Sequence, residues 1–559
     1  MHIRKSVRDM KFDVAVIGSG AAGSFAVKEL TEHGLTVLLL EAGPSISEND
    51  FRVPDHTEQK GINLKSRALA ALRGQYIQAR IGYFSDQFRH LFVNDFQNPY
   101  TTPQGAHYLW IRGRQLGGRL HLYGRVLLRM TDYDFKAASR DGFGDDWPIS
   151  YSDLAPYYDR VEEFMGVYGT RENIRNLPDG RYCKEPKLTE VEHLFKTTVE
   201  AHWSDRKVIP WRYASPNLKR VPVAIQAAQQ TGRLTLRTNA IAKRIIVDSV
   251  TGKAEGVEFI DRLSKKEETA SANVVVLCAS TIESVRLMLN SACPKHPDGL
   301  GNSSGLLGRF FMDQGLSQIY GTVPGATGWE LDDSAPPDPF YAPAGGVYIP
   351  RFQNLDSATH SKFIRGFAFQ GAIGRGFVPE GRPAIFGLMG FGEMLPYYEN
   401  RITLSSRRKD AWGIPAAHVC CRLGKNEQEM IRDQVRSIQE MVSACGFRVI
   451  FSGSVLGLEN EKCAFPDADW LSRFVFRKSF NRCLAIGAAV HECGGARMGT
   501  DPAKSVLNPF NQCWDIKNLF VTDGSSFPSS GAVGPALTIM AITSRACNFL
   551  EKEYKRGAL

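Results

Sequence analysis

The chain has 559 residues, of which 43% are hydrophobic and 23% are charged, a balance typical of a soluble globular protein. Its length provides material for a large core and about two domains. The net charge of +9 comes from 68 basic and 59 acidic residues spread along the chain, and the densest basic cluster, 407–409, is followed at once by Asp410. This pattern excludes a strong nucleic-acid patch, so we expect no nucleic-acid partner.

Cysteine usage and local hydropathy exclude several other classes. Eleven cysteines without regular spacing fit reduced thiols better than a disulfide framework. His491 and Cys493 are close in sequence, but no other ligand pair at suitable spacing joins them, so we expect no metal. Residues 1–12 lack the apolar segment of a signal peptide, and no apolar run reaches the ~18 residues of a membrane span. We expect a cytoplasmic protein without a membrane span, or a periplasmic one if a signal-bearing partner exports it.

The first predicted elements form a βαβ unit. A β-branched strand over 13–17 runs directly into Gly18-Ser19-Gly20-Ala21-Ala22-Gly23, and an amphipathic helix is predicted over 21–33. An apolar strand follows at 37–40 and ends at Glu41, eighteen positions after the last glycine of the turn. A strand, a glycine turn, a helix, a second strand and an acid in this order indicate a dinucleotide-binding unit.

Each residue type of the unit has a physical role in holding a dinucleotide. Gly18 permits the tight turn, Gly20 lets the backbone approach the pyrophosphate, and Gly23 lets the helix pack on the strand. Glu41 accepts hydrogen bonds from the ribose hydroxyls. The unpaired N–H groups and the dipole of the helix N-terminus favour the negative charge of the phosphates. The motif does not identify which dinucleotide is bound.

Further elements of the same sheet are predicted much later in the chain. Residues 233–260 are predicted to form a hairpin. The continuous apolar run at 274–279 is typical of a strand buried on both faces, so the sheet resumes after more than about two hundred residues. A last strand is predicted at 519–524 and a last helix at 535–549.

Residues 316–480 have a different pattern, with alternating strand-like runs at 363–369 and 401–404 and a helix at 426–444. This pattern favours a second domain built on an antiparallel sheet.

Several motifs occur together in the order of one known family. They are Gly18–Gly23 with Glu41-Ala42-Gly43, the Gly117-Gly118 loop, Trp147-Pro148-Ile149, Gly308-Arg309-Phe310, the run 491–499 and the run 518–524. With these motifs the chain resembles the glucose-methanol-choline (GMC) family of FAD-dependent oxidoreductases, from about residue 11 to about residue 550. Residues 397–404 and 410–415 further resemble the family's bacterial sugar and glycoside dehydrogenase branch.

The resemblance implies an α/β fold with a Rossmann-like FAD-binding domain and an interleaved α+β substrate domain built on an antiparallel sheet. The implied FAD-binding segments are 1–160 with a cover segment at 44–110, 221–315 and 485–559, and the implied substrate segments are 161–220 and 316–484. It also implies oxidation of a primary or secondary alcohol of a sugar or glycoside, with hydride passing to flavin N5. The electron acceptor could be a quinone, a cytochrome or oxygen, and a small accessory subunit is compatible with the resemblance.

The resemblance makes His491 the general base. Histidine suits this task because its ordinary pKa of ~6.5 lies near working pH. Pro535 suits the first turn of the last helix, whose free N–H groups would stabilise an anionic reduced flavin. The cofactor-binding residues implied are Gly18, Gly20, Ala21, Ala22, Gly23, Glu41, Ala42, Arg112, Gly117, Gly118, His121, Gly124, Ala242, Ala279, Ser280, Asp523, Gly524, Pro535 and Leu537.

One position departs from the family at the catalytic centre. Before the proline of the last helix the family usually has Asn or His, which holds the substrate hydroxyl with the base, whereas this chain has Gly534. Three readings follow: another residue or water substitutes, the reaction is slowed, or the chain no longer oxidises alcohols. We favour substitution because the other motifs are intact. The alternatives are a non-redox, lyase-like or impaired homologue with mainly structural FAD, and a flavin-loaded binding or partner subunit.

A second departure concerns flavin attachment. Some relatives bond FAD through a histidine four residues after the second glycine of the Gly-Gly loop, where this chain has Leu122. We therefore expect FAD held without a covalent bond, with His121 either near the flavin ring or in a packing role. For the substrate we expect contacts from polar residues in glycine- and aromatic-rich stretches of the second domain, namely Gln370, Arg375 and Glu393.

Overall fold

The computed structural model describes residues 7, 10–51, 64–84, 87–218, 222–328, 330, 344–356, 360–460 and 464–559. The helices of this part of the chain are α1 (Ala21–Glu32), α2 (Leu64–Ala70), α3 (Asp132–Phe135), α4 (Ala137–Asp141), α5 (Tyr151–Met165), α6 (Glu190–His202), α7 (Val223–Gln230), α8 (Thr281–Asn290), α9 (Lys425–Ala444), α10 (Trp470–Cys483) and α11 (Ala536–Lys555). None of these helices combines the length and the apolar character needed to cross a bilayer.

The strands of the described residues fall into two large sheets and one two-stranded ribbon. They are β1 (Lys11–Ile17), β2 (Val37–Leu40), β3 (Ile209–Pro210), β4 (Leu234–Arg237), β5 (Ala240–Val247), β6 (Ala254–Asp261), β7 (Glu267–Leu277), β8 (Gln314–Thr327), β9 (Val347–Ile349), β10 (Phe367–Ile373), β11 (Pro383–Glu393), β12 (Arg401–Lys409), β13 (Pro415–Cys420), β14 (Arg448–Ser454), β15 (Gly457–Glu459) and β16 (Leu519–Val521).

The first sheet is Rossmann-like, as the sequence predicts. Its order is β4-β2-β1-β7-β6-β5, and β16 also pairs with β7. The strands β4, β2, β1, β7 and β16 run parallel to one another, whereas β6 is antiparallel to both of its neighbours, β7 and β5. The register between β1 and β7 joins Ile17 to Leu277, so the apolar run predicted as a late strand of this sheet lies directly beside the first one. The residues of β1 and β7 at this end, 14–17 and 274–277, are buried, as expected of parallel strands that are covered on both faces.

One local prediction is wrong. Residues 233–260 do not form a single hairpin, because β4 pairs in parallel with β2 at the edge of the first sheet. The hairpin consists of β5 and β6 alone. Leu236 of β4 is fully buried, so its packing in the sheet core determines the partner of β4. A strand partner that is distant in sequence leaves no local pattern.

Glycines at the first turn are required by backbone geometry. Gly18 has φ = +95°, a conformation that disfavours other residues, and a Cβ at Gly23 would lie 1.8 Å from the carbonyl oxygen of Gly18. Helix α1 thus starts directly against the end of β1, and it packs between α7 and α11. This close approach directs the N-terminus of α1 to the carboxyl end of the sheet.

The second sheet is antiparallel, in the order β15-β14-β8-β11-β10-β9-β3. Helix α9 packs against β8, β11 and β14, and its apolar side chains join a core with Phe367, Phe369 and Phe386. The predicted helix at 426–444 is confirmed as α9. The strand predicted at 363–369 overlaps β10 at residues 367–369 only, and the strand predicted at 401–404 is the start of β12, which pairs with β13 in the separate ribbon and not in this sheet. The antiparallel architecture is therefore confirmed, while the domain boundaries given above remain predictions.

Candidate active site

The turn between β1 and α1 forms an open cradle. Gly20 is the N-cap of α1, and no side chain caps this helix. In the part of the chain that the structure describes, a Cβ placed on Gly20 would meet no atom within 4 Å, so space is open in front of the helix N-terminus. The first N–H groups of a helix have no partner within the helix. The cradle therefore combines unpaired donors, a favourable dipole and room for an anionic group such as a pyrophosphate.

Glu41 lies beside this cradle with its carboxylate held in place. It accepts hydrogen bonds from the N–H groups of Gly43 at 2.8 Å and Ser19 at 3.2 Å, and from the Ser19 hydroxyl. The side chain is buried, and burial raises the pKa of the carboxyl group. An acid in this position can accept the hydroxyls of a ribose. The residues present therefore fit the dinucleotide that the sequence predicts.

The Gly117-Gly118 loop docks onto the same cradle. The N–H group of Gly117 donates to the Ser19 hydroxyl at 2.9 Å, and a Cβ on Gly118 would lie 3.5 Å from the Cα of Gly20. His121 is fully buried after this loop, with Nε2 at 2.6 Å from the Leu116 carbonyl oxygen and its ring 5.0 Å from that of Phe51. These contacts fit the packing role considered for His121.

Arg112 was expected among the cofactor-binding residues, and the structure places its guanidinium in an internal network. It stacks on Trp110 at 3.9 Å and donates to the Asn98 carbonyl at 2.5 Å. Glu283 and Asp95 lie 3.9 and 4.0 Å from its terminal nitrogens. These contacts hold the loop that precedes Gly117-Gly118.

The ends of β7 and β16 complete the cradle on the other side. Ser280, three positions beyond the end of β7 at Leu277, has φ = +80° and accepts a hydrogen bond from Arg119 at 2.9 Å. Asp523 follows β16, is buried, and accepts from the Ser284 hydroxyl at 2.5 Å and the Ser525 hydroxyl at 2.6 Å. Because the strands are parallel, Gly18, Ser280 and Asp523 share the carboxyl edge where open α/β sheets bind ligands.

His491 and Gly534, which the resemblance assigns to one catalytic centre, are neighbours in the structure. A Cβ on Gly534 would lie 3.6 Å from both Nε2 and Cε1 of His491 and would meet no other atom within 4 Å. Nε2 is therefore the ring nitrogen that faces Gly534 and the start of α11. The ring of Phe391 lies 5.1 Å from the imidazole.

The electrostatic surroundings keep His491 neutral. Burial, followed by the positive charge of Arg119, lowers the pKa of His491 to about 3. Arg119 forms an ion pair with Glu492, which is itself buried. An imidazole with this pKa is unprotonated at neutral pH, as a proton acceptor must be.

Two residues at the start of the second sheet hold His491, and neither is among the site residues predicted from the sequence. The His491 N–H donates to Asp313 Oδ1 at 3.0 Å, and His491 Nδ1 lies 2.6 Å from Oε1 of Gln314. Both partners are 177 or more positions away in sequence. The nearby Gly308-Arg309-Phe310 motif is the one signal that could have drawn attention to them.

Asp313 is fully buried, and its Oδ2 has no hydrogen-bond partner among the described residues. Burial, followed by the neighbouring carboxylate of Glu492, raises the pKa of Asp313 to about 7. Because the folded-state pKa lies above the ordinary value, the folded chain loses stability as pH rises from about 4 through about 7.

Replacing Asp313 with Asn removes this ionisation and retains the Oδ1 acceptor. We expect the free energy of unfolding to exceed that of the wild type above about pH 7, by a few kcal/mol at most, since one pKa unit corresponds to about 1.4 kcal/mol. Thermal unfolding at about pH 5 and about pH 8 checks this expectation. A difference between the two proteins that does not grow with pH would contradict it.

The first turn of α11 faces the same centre. Pro535 is the N-cap residue, with φ = −75°, and no side chain caps the helix. The N–H groups of residues 536–538 therefore lack partners within the helix. Leu537 and Thr538 are fully buried, and Thr538 Oγ1 lies 2.8 Å from the Tyr158 hydroxyl oxygen, which fixes this turn from behind.

The three expected substrate residues lie apart from one another. Arg375 is 2% exposed and donates to both carboxylate oxygens of Glu192, at 2.8 and 2.7 Å. Glu393 is 0% exposed and pairs with Arg365 at 2.9 Å. Both charges are thus used in buried ion pairs. Gln370, in contrast, is partly exposed on β10, so its amide is accessible to a ligand.

Comparisons with known proteins agree with this geometry. Family models described as GMC oxidoreductase match residues 222–314 and 396–543, and a model described as an NAD(P)-binding Rossmann-like domain matches residues 16–72.

Similar curated proteins span nearly the whole chain. The 2-methyl-1,2-propanediol dehydrogenase of Mycolicibacterium austroafricanum is 28% identical over 97% of this chain and 95% of its own length. The fructose dehydrogenase large subunit of Gluconobacter japonicus is 25% identical, with 98% of each chain covered. The paromamine 6'-oxidase of Streptomyces fradiae is 26% identical over 96% of this chain and 91% of its own.

Solved structures share the fold. Pyridoxine 4-oxidase from Mesorbium loti superposes with a TM-score of 0.61 at 18% identity, covering 98% of this chain and 99% of its own. Formate oxidase from Aspergillus oryzae superposes with a TM-score of 0.66 at 15% identity, covering 99% and 100%.

Proposed function

The chain belongs to the GMC oxidoreductase family, and on that premise we propose that it oxidises an alcohol group of a sugar or glycoside with FAD as its cofactor and His491 as general base. The relatives are named as dehydrogenases and oxidases of alcohols and sugars. The observation that carries the proposal is the position of His491. A neutral imidazole faces the open position at Gly534, beside the uncapped start of α11.

The protein residues supply three functions in this proposal. His491 Nε2 takes the proton of the substrate hydroxyl as the alcohol carbon is oxidised. The free N–H groups at the start of α11 favour negative charge that develops near them. The cradle at Gly20 and the carboxylate of Glu41 bind the dinucleotide part of the cofactor. FAD, when bound, supplies the two-electron acceptor for the hydride.

FAD is held without a covalent bond in this proposal. Leu122 occupies the position of the linking histidine in some relatives, and its side chain is 4% exposed within an apolar cluster. The neighbouring His121 has its Nε2 at the Leu116 carbonyl oxygen instead. Neither side chain supports a bond to the flavin.

Gly534 makes room at the position beside Nε2. The Cβ of a side chain at this position would touch the imidazole at 3.6 Å, an ordinary van der Waals distance, so the backbone leaves room for the start of an Asn side chain. We expect Gly534→Asn to fold normally and to shift the ratio of kcat/KM between a small alcohol and a bulky glycoside at least about tenfold toward the small one, as a pocket-size change does. Steady-state kinetics with one substrate of each kind measures this ratio. An unchanged ratio would show that the substrate does not occupy this space.

The substrate class follows from the relatives and from the second domain. The relatives are named for 2-methyl-1,2-propanediol, fructose and paromamine. Gln370 lies on β10 of the sheet that contributes Gln314 and Phe391 to the site, and its amide can bind a hydroxyl group. We place a polyhydroxylated substrate against this sheet.

In this proposal the electrons pass to a quinone or another carrier more readily than to oxygen. A small accessory subunit is compatible with the large-subunit name of one relative.

A second candidate is a non-redox or impaired homologue in which FAD is mainly structural. The observation that favours it is Gly534, which has no side chain to hold a substrate hydroxyl. The two candidates differ in one property: only the first requires that a substrate change the redox state of the bound flavin.

An anaerobic spectral titration distinguishes them. Purified flavin-containing protein is mixed with sugars, glycosides and vicinal diols in turn, and the visible absorption band of oxidised flavin is recorded. The proposal expects this band to bleach with at least one polyhydroxylated alcohol and to return when a quinone is added. Turnover of a compound with an unchanged flavin spectrum would select the second candidate.

A further inference from the structure

We propose that Gln314 is a positioning residue that fixes the tautomer of His491, so that the proton sits on Nδ1 and Nε2 faces Gly534 with a free lone pair. This inference rests on the proposed function, in which Nε2 receives the alcohol proton, and it adds the residue that prepares Nε2 for that step.

The orientation of the Gln314 amide is determined by two carbonyl groups. Its Nε2 donates to the carbonyl oxygen of Gly531 at 2.8 Å and to that of Val533 at 3.0 Å. A carbonyl oxygen only accepts hydrogen bonds, so the NH₂ group of the amide must face this pair. The Oε1 atom of Gln314 therefore faces His491, at 2.6 Å from Nδ1.

The amide oxygen in turn determines the tautomer of the imidazole. Oε1 has no proton to donate, so a hydrogen bond at 2.6 Å requires the proton on Nδ1 of His491. A neutral imidazole carries one proton on its two nitrogens. Nε2 is then the acceptor, and it is the nitrogen that lies 3.6 Å from the Cβ position of Gly534.

The support for this contact is rigid. Gln314 is 2% exposed and is the first residue of β8, where it pairs with Glu393 of β11. The preceding residue, Asp313, accepts the backbone N–H of His491. Two consecutive residues thus hold the backbone and the ring of the base. A loosely held amide would not distinguish the tautomers, whereas this one is buried and donates to two backbone carbonyl oxygens.

The same amide also positions the loop before α11. The carbonyl groups of Gly531 and Val533 belong to the segment that ends at Gly534, so Gln314 joins this segment to the imidazole. One side chain therefore determines both the protonated atom of the base and the distance of the base from the start of α11. Three charged residues of the described chain lie near the ring, but their contacts are made elsewhere. Asp313 accepts the backbone N–H of His491, and Arg119 pairs with Glu492.

The tautomer can be read directly by NMR on the flavin-containing protein labelled with ¹⁵N-histidine. We expect one histidine with a protonated Nδ1 and an unprotonated Nε2 whose signals disappear in His491→Asn. In Gln314→Leu these signals should move toward a mixture of the two tautomers. Gln318→Leu, four positions along the same strand, is the matched control and should leave them unchanged. A wild-type His491 with its proton on Nε2, or an unchanged tautomer in Gln314→Leu, would overturn the proposal.

Kinetics give a second readout that a merely structural role would not produce. Gln314→Glu places a carboxylate at Nδ1–H and so raises the pKa of His491, because an opposite charge favours the imidazolium. The acid limb of the rate of flavin reduction should shift to higher pH in this variant. Gln314→Leu should lower kcat between about tenfold and a thousandfold with little change in KM, as expected for a misplaced proton on a general base.

The outcomes separate this inference from the proposed function. If NMR shows the expected tautomer but His491→Ala reduces its flavin as fast as the wild type, the proposed function fails and the role of Gln314 in fixing the ring stands. If His491→Ala is slow while Gln314→Leu retains the wild-type tautomer and pH profile, the inference about Gln314 fails alone. Thermal unfolding of each variant identifies any that does not fold, and the wild-type spectrum tests the tautomer without a variant.

Discussion

Replacing His491 with Ala is expected to slow flavin reduction by an alcohol substrate about 10²- to 10⁴-fold while FAD stays bound, because a positioned general base contributes about that factor. Among the described residues, His491 alone comes within 4 Å of the Cβ position of Gly534, chain neighbours aside, so its Nε2 is the proton acceptor assigned to this position. The measurement is anaerobic stopped-flow absorbance in the visible flavin band, at saturating substrate. The flavin content of the variant should match that of the wild type, because the cradle residues are unchanged.

His193→Ala is the matched control for this substitution. His193 is exposed on α6, and its replacement should leave both the reduction rate and the flavin content unchanged.

The pH dependence of flavin reduction in the wild type adds a further check. Because burial and Arg119 lower the pKa of His491 to about 3, the wild-type rate should stay constant as pH falls below the ordinary histidine pKa of about 6.5. A wild-type rate that falls with a midpoint near that ordinary value would contradict the environment described for the base.

Replacing Gly20 with Val should produce a folded protein that binds FAD about 10- to 100-fold more weakly, since overpacking a binding site costs about 1–3 kcal/mol. Gly20 has φ = −71°, outside the left-handed region that favours glycine, and no described atom lies within 4 Å of its Cβ position. The added side chain would therefore occupy the space at the α1 N-terminus instead of disturbing the protein core. Flavin binding by the apoprotein, followed by fluorescence, measures the affinity.

Gly82→Val is the matched control, because Gly82 is a glycine outside the β1–α1 turn that, like Gly20, has no described atom within 4 Å of its Cβ position. It should bind FAD like the wild type. Heat denaturation of the wild type should release all its flavin into solution, since Leu122 cannot form a covalent link. Equal FAD affinity in Gly20→Val and Gly82→Val, with both proteins folded, would show that the dinucleotide lies elsewhere.

The Rossmann-like half of the fold was predictable because its signals are local. The strand before Gly18, the glycine turn and the acid at Glu41 each leave a short pattern, and the apolar run at 274–279 is typical of a strand buried on both faces. The pairing of β4 with β2 was not predictable in this way. It depends on burial of Leu236 against a strand almost two hundred residues earlier, and sequence proximity suggested a hairpin instead.

The candidate site shows the same division. His491 and Gly534 were predictable from motifs, and the structure brings them together. Asp313 and Gln314 were not, because their importance lies in hydrogen bonds that span more than 170 positions. Arg375, just beyond the end of β10, was expected to face a substrate, but an arginine there is equally suited to a buried ion pair, and its partner Glu192 lies on helix α6.

The proposed hydride transfer is tested most directly by a deuterium isotope effect on flavin reduction. A substrate that bleaches the flavin is compared with the same compound deuterated at the carbon that is oxidised, in a single anaerobic turnover at saturating concentration. Breaking of that C–H bond predicts several-fold slower bleaching of the flavin band with the deuterated compound. Equal rates for the two compounds, or no bleaching with any alcohol of the series, would contradict the assignment of this site to alcohol oxidation.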